Sequence, residues 1–126
     1  MPVRYVIDKK LQLVVTTGWG QVTFAESLAH QDQLLNDPDF KSEFNQLINL
    51  TAATSLDISV AEAKRIAIRN PFSSTSRRAF VATNPSIFGL GRLMEAYHEM
   101  SAVVSLVCVF YDLPSALQWL GLDSVP

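Results

Sequence analysis

Short apolar runs and capped helical segments alternate along this chain from Thr23 to Leu120, and that alternation constrains the fold more than any other feature. Parallel strands need long crossovers, usually helices, so the pattern demands a mainly parallel sheet with right-handed connections. Ahead of it, residues 4–8 and 11–17 are β-rich runs joined by Lys9-Lys10, with alternation at Leu11, Leu13 and Val15, and read as an antiparallel hairpin. Gly18-Trp19-Gly20 is expected to break the second strand. Thr23 and Glu26 then form a capping box that opens a helix over 24–36, with Phe24, Leu28, Gln31 and Leu35 on its inward stripe.

Asp37-Pro38-Asp39 stops that helix, and residues 46–50 read as a short buried strand. Ser59 and Glu62 make a second capping box for a helix over 60–70, with Val60, Ala63, Ile66 and Ala67 inward and Glu62, Arg65 and Arg69 outward. A strand over 78–83 follows, then a helix from Asn84-Pro85 to about Met100. A strand over 105–111 leads to a closing helix that Asp112 caps and that carries Ala116, Leu117, Trp119 and Leu120. The expected fold is α/β: a single compact mixed sheet of about five strands, an antiparallel N-terminal hairpin with the remainder mainly parallel, four helices, and one domain over residues 1–126.

Charge is sparse. Only 17% of the residues are charged, against about 25% in a typical domain, which leaves apolar surface for a ligand, a partner or a second copy unless the strands are apolar on both faces. A two-fold homodimer is the expected assembly. The single Cys108 lies in an apolar run and reads as a small core residue. There is no secretory leader pattern, and the longest apolar run, residues 102–111, is half a membrane span, so a cytoplasmic protein is expected, with room for peripheral contact to the inner membrane face.

The charges that exist are unevenly placed. Lys64, Arg65, Arg69, Arg77, Arg78 and Arg92 occur with no Asp or Glu among them, a window of +6 in a chain of net charge −2. On a helical wheel Leu90, Leu93, Met94, Tyr97 and Met100 form the apolar arc of the third helix, while Phe88 falls opposite with Arg92, Glu95 and Glu99. An outward Phe88 beside Arg92 suits an amphiphilic ligand or an anionic membrane surface. Arg65, Arg69, Arg77, Arg78, Phe88 and Arg92 are therefore the candidate binding residues.

Other chemistry finds little support. His30, His98 and Cys108 fall in separate elements, so no metal motif exists, and a lone His on a helix reads as solvated. No Gly-x-Ser-x-Gly turn is present, and Gly18-Trp19-Gly20 is too short and lacks the Lys of a phosphate loop. The net charge and the lack of interleaved aromatics argue against nucleic acid. No enzyme and no cofactor are expected.

The hairpin start, Leu47-Ile48-Asn49-Leu50-Thr51 followed by Leu56-Asp57-Ile58-Ser59, and the ending Phe110-Tyr111-Asp112-Leu113-Pro114-Ser115-Ala116-Leu117-Gln118-Trp119-Leu120 together resemble the STAS or SpoIIAA-like family over nearly the whole chain. The likeness is closest to its branch of small stand-alone bacterial proteins, which are grouped with a lipid-binding fold. That resemblance implies a non-catalytic binding module for an amphiphilic or anionic small molecule or a membrane surface. The alternative it implies is a protein-interaction regulator of the anti-sigma-factor-antagonist type. In phospho-regulated members the turn before the second helix carries a phosphorylatable Ser. Here Asp57 matches the family's Asp, Ile58 stands at the acceptor position, and Ser59 beside it has the helix cap to serve.

Overall fold

Each helix starts where a short polar side chain can catch the free N–H groups of a first turn. The computed structural model describes residues 2–69, 71–99 and 106–123. Its elements, in chain order, are β1 (Val3–Asp8), β2 (Leu13–Thr23), α1 (Phe24–Leu35), β3 (Asn45–Asp57), α2 (Val60–Ile68), β4 (Arg77–Val81), α3 (Pro85–Glu99), β5 (Leu106–Phe110) and α4 (Leu113–Leu120). Both capping boxes form: the Thr23 and Ser59 hydroxyls accept from the N–H of Glu26 and Glu62, whose carboxylates accept from the cap N–H in return. Asn84 Oδ1 accepts from the Ser86 N–H at 2.9 Å, and Asp112 Oδ1 from the Ser115 N–H at 2.8 Å.

The strands lie in the order β1-β2-β3-β4-β5, with β1 antiparallel to β2 and the rest parallel. Side chains alternate across the sheet, so each strand feeds two cores. Ile48, Phe80, Val107 and Val109 face one side and pack with Ala63 and Ile66 of α2 and Ile87 and Met94 of α3. Leu13, Leu47, Ala79 and Val81 face the other and pack with Ala116, Leu117 and Leu120 of α4. Under the end of α1, Leu34 meets Val14, Phe44 and Phe72.

Two strands are longer than the sequence suggests. Gly18-Trp19-Gly20 does not break β2; the strand bulges there, with register shifts between Thr17 and Trp19 and between Gly20 and Gln21, and runs on to Thr23. The glycines make this passage feasible, since a Cβ on Gly18 would sit 2.7 Å from Leu50 Cδ2 and Gly20 has φ +61°. β3 follows β2 all the way, from Asn45 to Asp57, well past its pairing with β4, which ends at Asn49. The expected 46–50 strand is only its buried first half. In the hairpin, a four-residue connection replaces the expected two-residue turn, with Asp8 Oδ1 accepting from the Leu11 N–H and Gln12 at φ 53°.

Helix phases also differ. On α1 the buried residues are His30, Gln31 and Leu34, and Leu35 is 54% exposed; on α2 Val60 is exposed. On α3 the buried line runs through Ile87, Gly91 and Met94, while Leu93 is exposed. Gly91 sets that phase, because a Cβ there would lie 2.8 Å from Val109 Cγ2 and the bare backbone therefore rests directly on β5. The rotation turns Phe88 and Glu95 toward β5. Glu95 Oε2 accepts from the Val109 N–H at 2.8 Å, satisfying a donor of an edge strand, and Phe88 packs on the core. Met100, Asn70, Ser105 and the side chain of Glu99 lie outside the described residues.

The two helical glycines of α3 give a test of this packing. Gly91→Ala is expected to lower stability by about 1 kcal/mol, the clash with stiff, β-branched Val109 exceeding the gain in helix propensity. Gly89→Ala, with nothing within 4 Å of the new methyl, is expected to raise it by roughly 0.5–1 kcal/mol. Urea titrations of both variants measure the opposite signs.

Candidate functional site

Strand parity decides where the basic residues go. Arg77 and Arg78 are neighbours on β4 and so leave the sheet on opposite faces. Arg77 goes to the α4 side, exposed, its Nη1 donating to the Trp119 carbonyl at 2.9 Å and its guanidinium 5.6 Å over the Trp119 ring. Arg78 goes inward and is 5% exposed. The expected single basic face therefore does not form.

The other candidates are also divided. Arg65 lies over the Phe24 ring at 5.4 Å, Arg69 pairs with Asp32 of α1 at 2.6 Å, and Arg92 pairs with Glu95 at 3.2 Å. Phe88 is half-buried and stacked on Tyr111, ring centroids 3.6 Å apart and planes 5° from parallel, not projecting as an outward insertion residue. At the turn before α2, Asp57 bonds to the Gln21 amide, Ser59 is occupied as the helix cap, and Ile58 faces the core beside Leu56.

What the fold builds instead is a polar row inside the sheet. Thr16, Gln46 and Arg78 sit on neighbouring strands β2, β3 and β4, all on the α1–α3 face, with Gln46 and Arg78 in direct register. Arg78 Nε donates to Gln46 Oε1 at 2.9 Å, Gln46 Nε2 donates to Thr16 Oγ1 at 2.9 Å, and Thr16 Oγ1 lies 2.9 Å from His30 Nε2 on α1. Thr16 Oγ1 accepts from Gln46 and shares one further hydrogen bond with His30 Nε2, the ring's tautomer deciding which of the two donates. Burial, and then the charge of Arg78, hold His30 down at about 4.

Arg78 is the anomaly. Burial alone pulls its guanidinium down to about 10, and it remains charged at neutral pH. No carboxylate pairs with it among the described residues. Its neighbours are Gln46 and the rings of Phe72 and Phe80, whose centroids lie 4.9 and 5.8 Å from the guanidinium carbon.

A cavity of about 100 Å³ opens beside this row. Thr16, His30, Gln31, Gln46 and Arg78 line it toward the start of the strands; Val22, Leu50, Leu56 and Ile58 line it toward their ends. Val3, Ser27, Leu56 and Ile58 are half-buried and form the mouth. Its wall thus joins the polar row and the Arg78 guanidinium to apolar side chains such as Val22, Ile48, Phe80 and Met94, a lining that suits an anionic head group with a small apolar body. A wider hollow of about 520 Å³ at Tyr5, Asp32, Asn36 and Asp37 is open to solvent and bears two carboxylates, so it offers nothing to an anion.

Sequence reasoning placed Arg78 in the right window on the wrong side and missed Thr16, His30 and Gln46. The available signal was parity: each strand residue interrupts an inward apolar row, Thr16 beside Val14, Gln46 beside Ile48 and Arg78 beside Phe80. Among the described residues no group of His, Cys, Asp and Glu could hold a metal ion, and no helix is long and apolar enough to cross a membrane.

The architecture, one five-stranded mixed sheet with four helices, is a SpoIIAA-like fold. It is similar to a solved structure of an uncharacterized protein from the DUF3478 family of Shewanella loihica PV-4, described as having a SpoIIAA-like fold, with TM-score 0.62 and 15% identity over 94% of this chain and 93% of that one. No family model and no curated protein matches the chain.

Proposed function

We propose that this chain is a non-catalytic binding module that takes an amphiphilic anion into the cavity between the sheet and α1–α3, with Arg78 as its counter-ion. The observation that carries the reading is a buried guanidinium, bordering a cavity, with no acid beside it among the described residues. A buried unpaired charge costs several kcal/mol, whereas a carboxylate at about 4 Å returns roughly 4 kcal/mol at an effective dielectric of 20. The fold tolerates this cost because a ligand offsets it. The groups around the cavity suit binding better than chemistry: among the described residues no carboxylate or thiol lines it, and the His30 Nε2 is occupied by Thr16. Binding to an anionic membrane surface has less support, since its basic residues are spread over two faces and Phe88 is stacked on Tyr111.

Calorimetric titration with hexanoate and with hexanol tests the reading. Hexanoate is expected to bind and hexanol to bind at least about tenfold more weakly, the difference being the charge met by Arg78. Arg78→Met is expected to abolish the preference. Equal binding of acid and alcohol, or no binding of either at millimolar concentration, overturns it and leaves the protein-interaction regulator as the better reading.

A further inference from the structure

The sheet ends in two edge strands, β5 and β1, and only one of them is guarded. At β5 the Glu95 carboxylate covers the Val109 N–H, which keeps that edge from pairing with another chain. At β1 the Trp19 N–H donates to the Pro2 carbonyl at 2.9 Å, and the β1–β2 register, carried one step past Val3 and Gly18, puts these two residues opposite each other. Bonded and non-bonded pairs alternate along an antiparallel ladder. Arg4, Val6 and Asp8 therefore turn their backbone groups to β2, while Val3, Tyr5 and Ile7 turn theirs outward, where no described residue takes them up.

Side chains complete the pattern. Tyr5 and Ile7 pack on the α1 side, so Arg4, Val6 and Asp8 leave the sheet on the other face. Val6 is 64% exposed, and Arg4 is exposed over the Trp19 ring with no carboxylate paired to it among the described residues. Asp8 gives one carboxylate oxygen to the Leu11 N–H. The two charges are of opposite sign and stand two residues to either side of Val6, so the strand is complementary to its own reverse.

We propose that the protein forms a two-fold dimer through β1, in which the two five-stranded sheets join into one and Arg4 faces the partner's Asp8. With the axis at Val6, Tyr5 stands opposite the partner's Ile7, and the outward backbone groups of these residues bond to each other. Val6 and both charge pairs then occupy non-bonded positions, where side chains across an antiparallel ladder stand closest, with Cα atoms about 4.5 Å apart. A slip of register loses the match: one way Arg4 meets the partner's Lys10, the other way Asp8 meets the partner's Pro2. A contact of one six-residue strand per copy lies at the small end of specific interfaces, so the expected Kd is about 1–100 µM.

Sedimentation equilibrium of the full chain between about 1 µM and 1 mM is expected to show monomer passing to dimer. Arg4→Glu and Asp8→Lys are each expected to weaken self-association about tenfold or more, because each sets two like-charged pairs across the axis. Mixed in equal amounts, the two variants are expected to associate within about threefold of the natural chain, since both pairs again have opposite sign. A natural chain that stays monomeric to 1 mM overturns the proposal, as does a dimer that Arg4→Glu leaves intact or a mixture that associates no better than its components. Asp8→Lys also removes the acceptor of the Leu11 N–H, and if it fails to fold, amide exchange on the natural chain decides. Protection of the Tyr5 and Ile7 N–H groups is expected to rise about fivefold or more over the same concentrations while that of Val6, bonded within its own sheet, stays level. Exchange at Tyr5 and Ile7 that ignores concentration overturns the proposal.

Discussion

Arg78→Met is expected to make the unliganded protein more stable while removing its affinity for carboxylates. Burial lowers the guanidinium from its ordinary value to about 10, a penalty on the charged form of roughly 3 kcal/mol. Methionine is shorter but of similar bulk, needs no hydration, and has a thioether that can pack on Phe72 and Phe80 in place of part of the cation–ring attraction. One loss runs the other way, because Gln46 Oε1 is left without the Arg78 donor, but the adjoining cavity has room for a water to replace it. The net gain is expected to be about 1–2 kcal/mol, seen as a rise of several degrees in thermal midpoint. A midpoint that drops by several degrees would show the charge to be well satisfied in the apo protein and would remove the argument that it awaits an anion. The same substitution thus trades function for stability.

His30 gives the second large effect. Its folded value of about 4 lies below the ordinary 6.5, so between these limits the unfolded chain binds a proton that the folded chain refuses. Stability from this group is fully present above pH 6.5 and is lost as pH falls toward 4, by about 3 kcal/mol across the window. Asp37 and Asp112 are held below the ordinary Asp range, chiefly by backbone N–H groups of Asp39 and Ser115, so their losses begin only at more acid pH. His30→Gln, which can still accept from Thr16, is expected to flatten the profile between pH 6.5 and 4. Parallel profiles for the two proteins in urea titrations would show that the ring takes up its proton without cost.

The element order was readable because its signals are local. Thr23 with Glu26, Ser59 with Glu62, Asn84 before Pro85 and Asp112 before Pro114 each fix a helix start through contacts within one turn. Strand ends were less legible because the extension of β2 depends on how Gly18 passes Leu50, a contact 32 residues away in sequence. The phase of α3 was misread for a related reason: an apolar wheel weights side chains, and Gly91, which has none, makes the closest approach to the sheet. Composition pointed to an anion-binding window, but only the alternation of β4 determines that Arg77 meets Trp119 while Arg78 meets Gln46.

Ile58, which the sequence resemblance puts at the phospho-acceptor position of a switch turn, is half-buried and part of the cavity wall. One side chain therefore belongs both to the surface turn that leads into α2 and to the space a ligand would fill. Whatever pushes on Ile58 from the cavity changes the free energy of the turn, and whatever seats on the turn changes the cavity. Thermodynamic linkage makes the two effects equal: a ligand that alters the grip of a partner on this turn by some factor has its own affinity altered by that same factor.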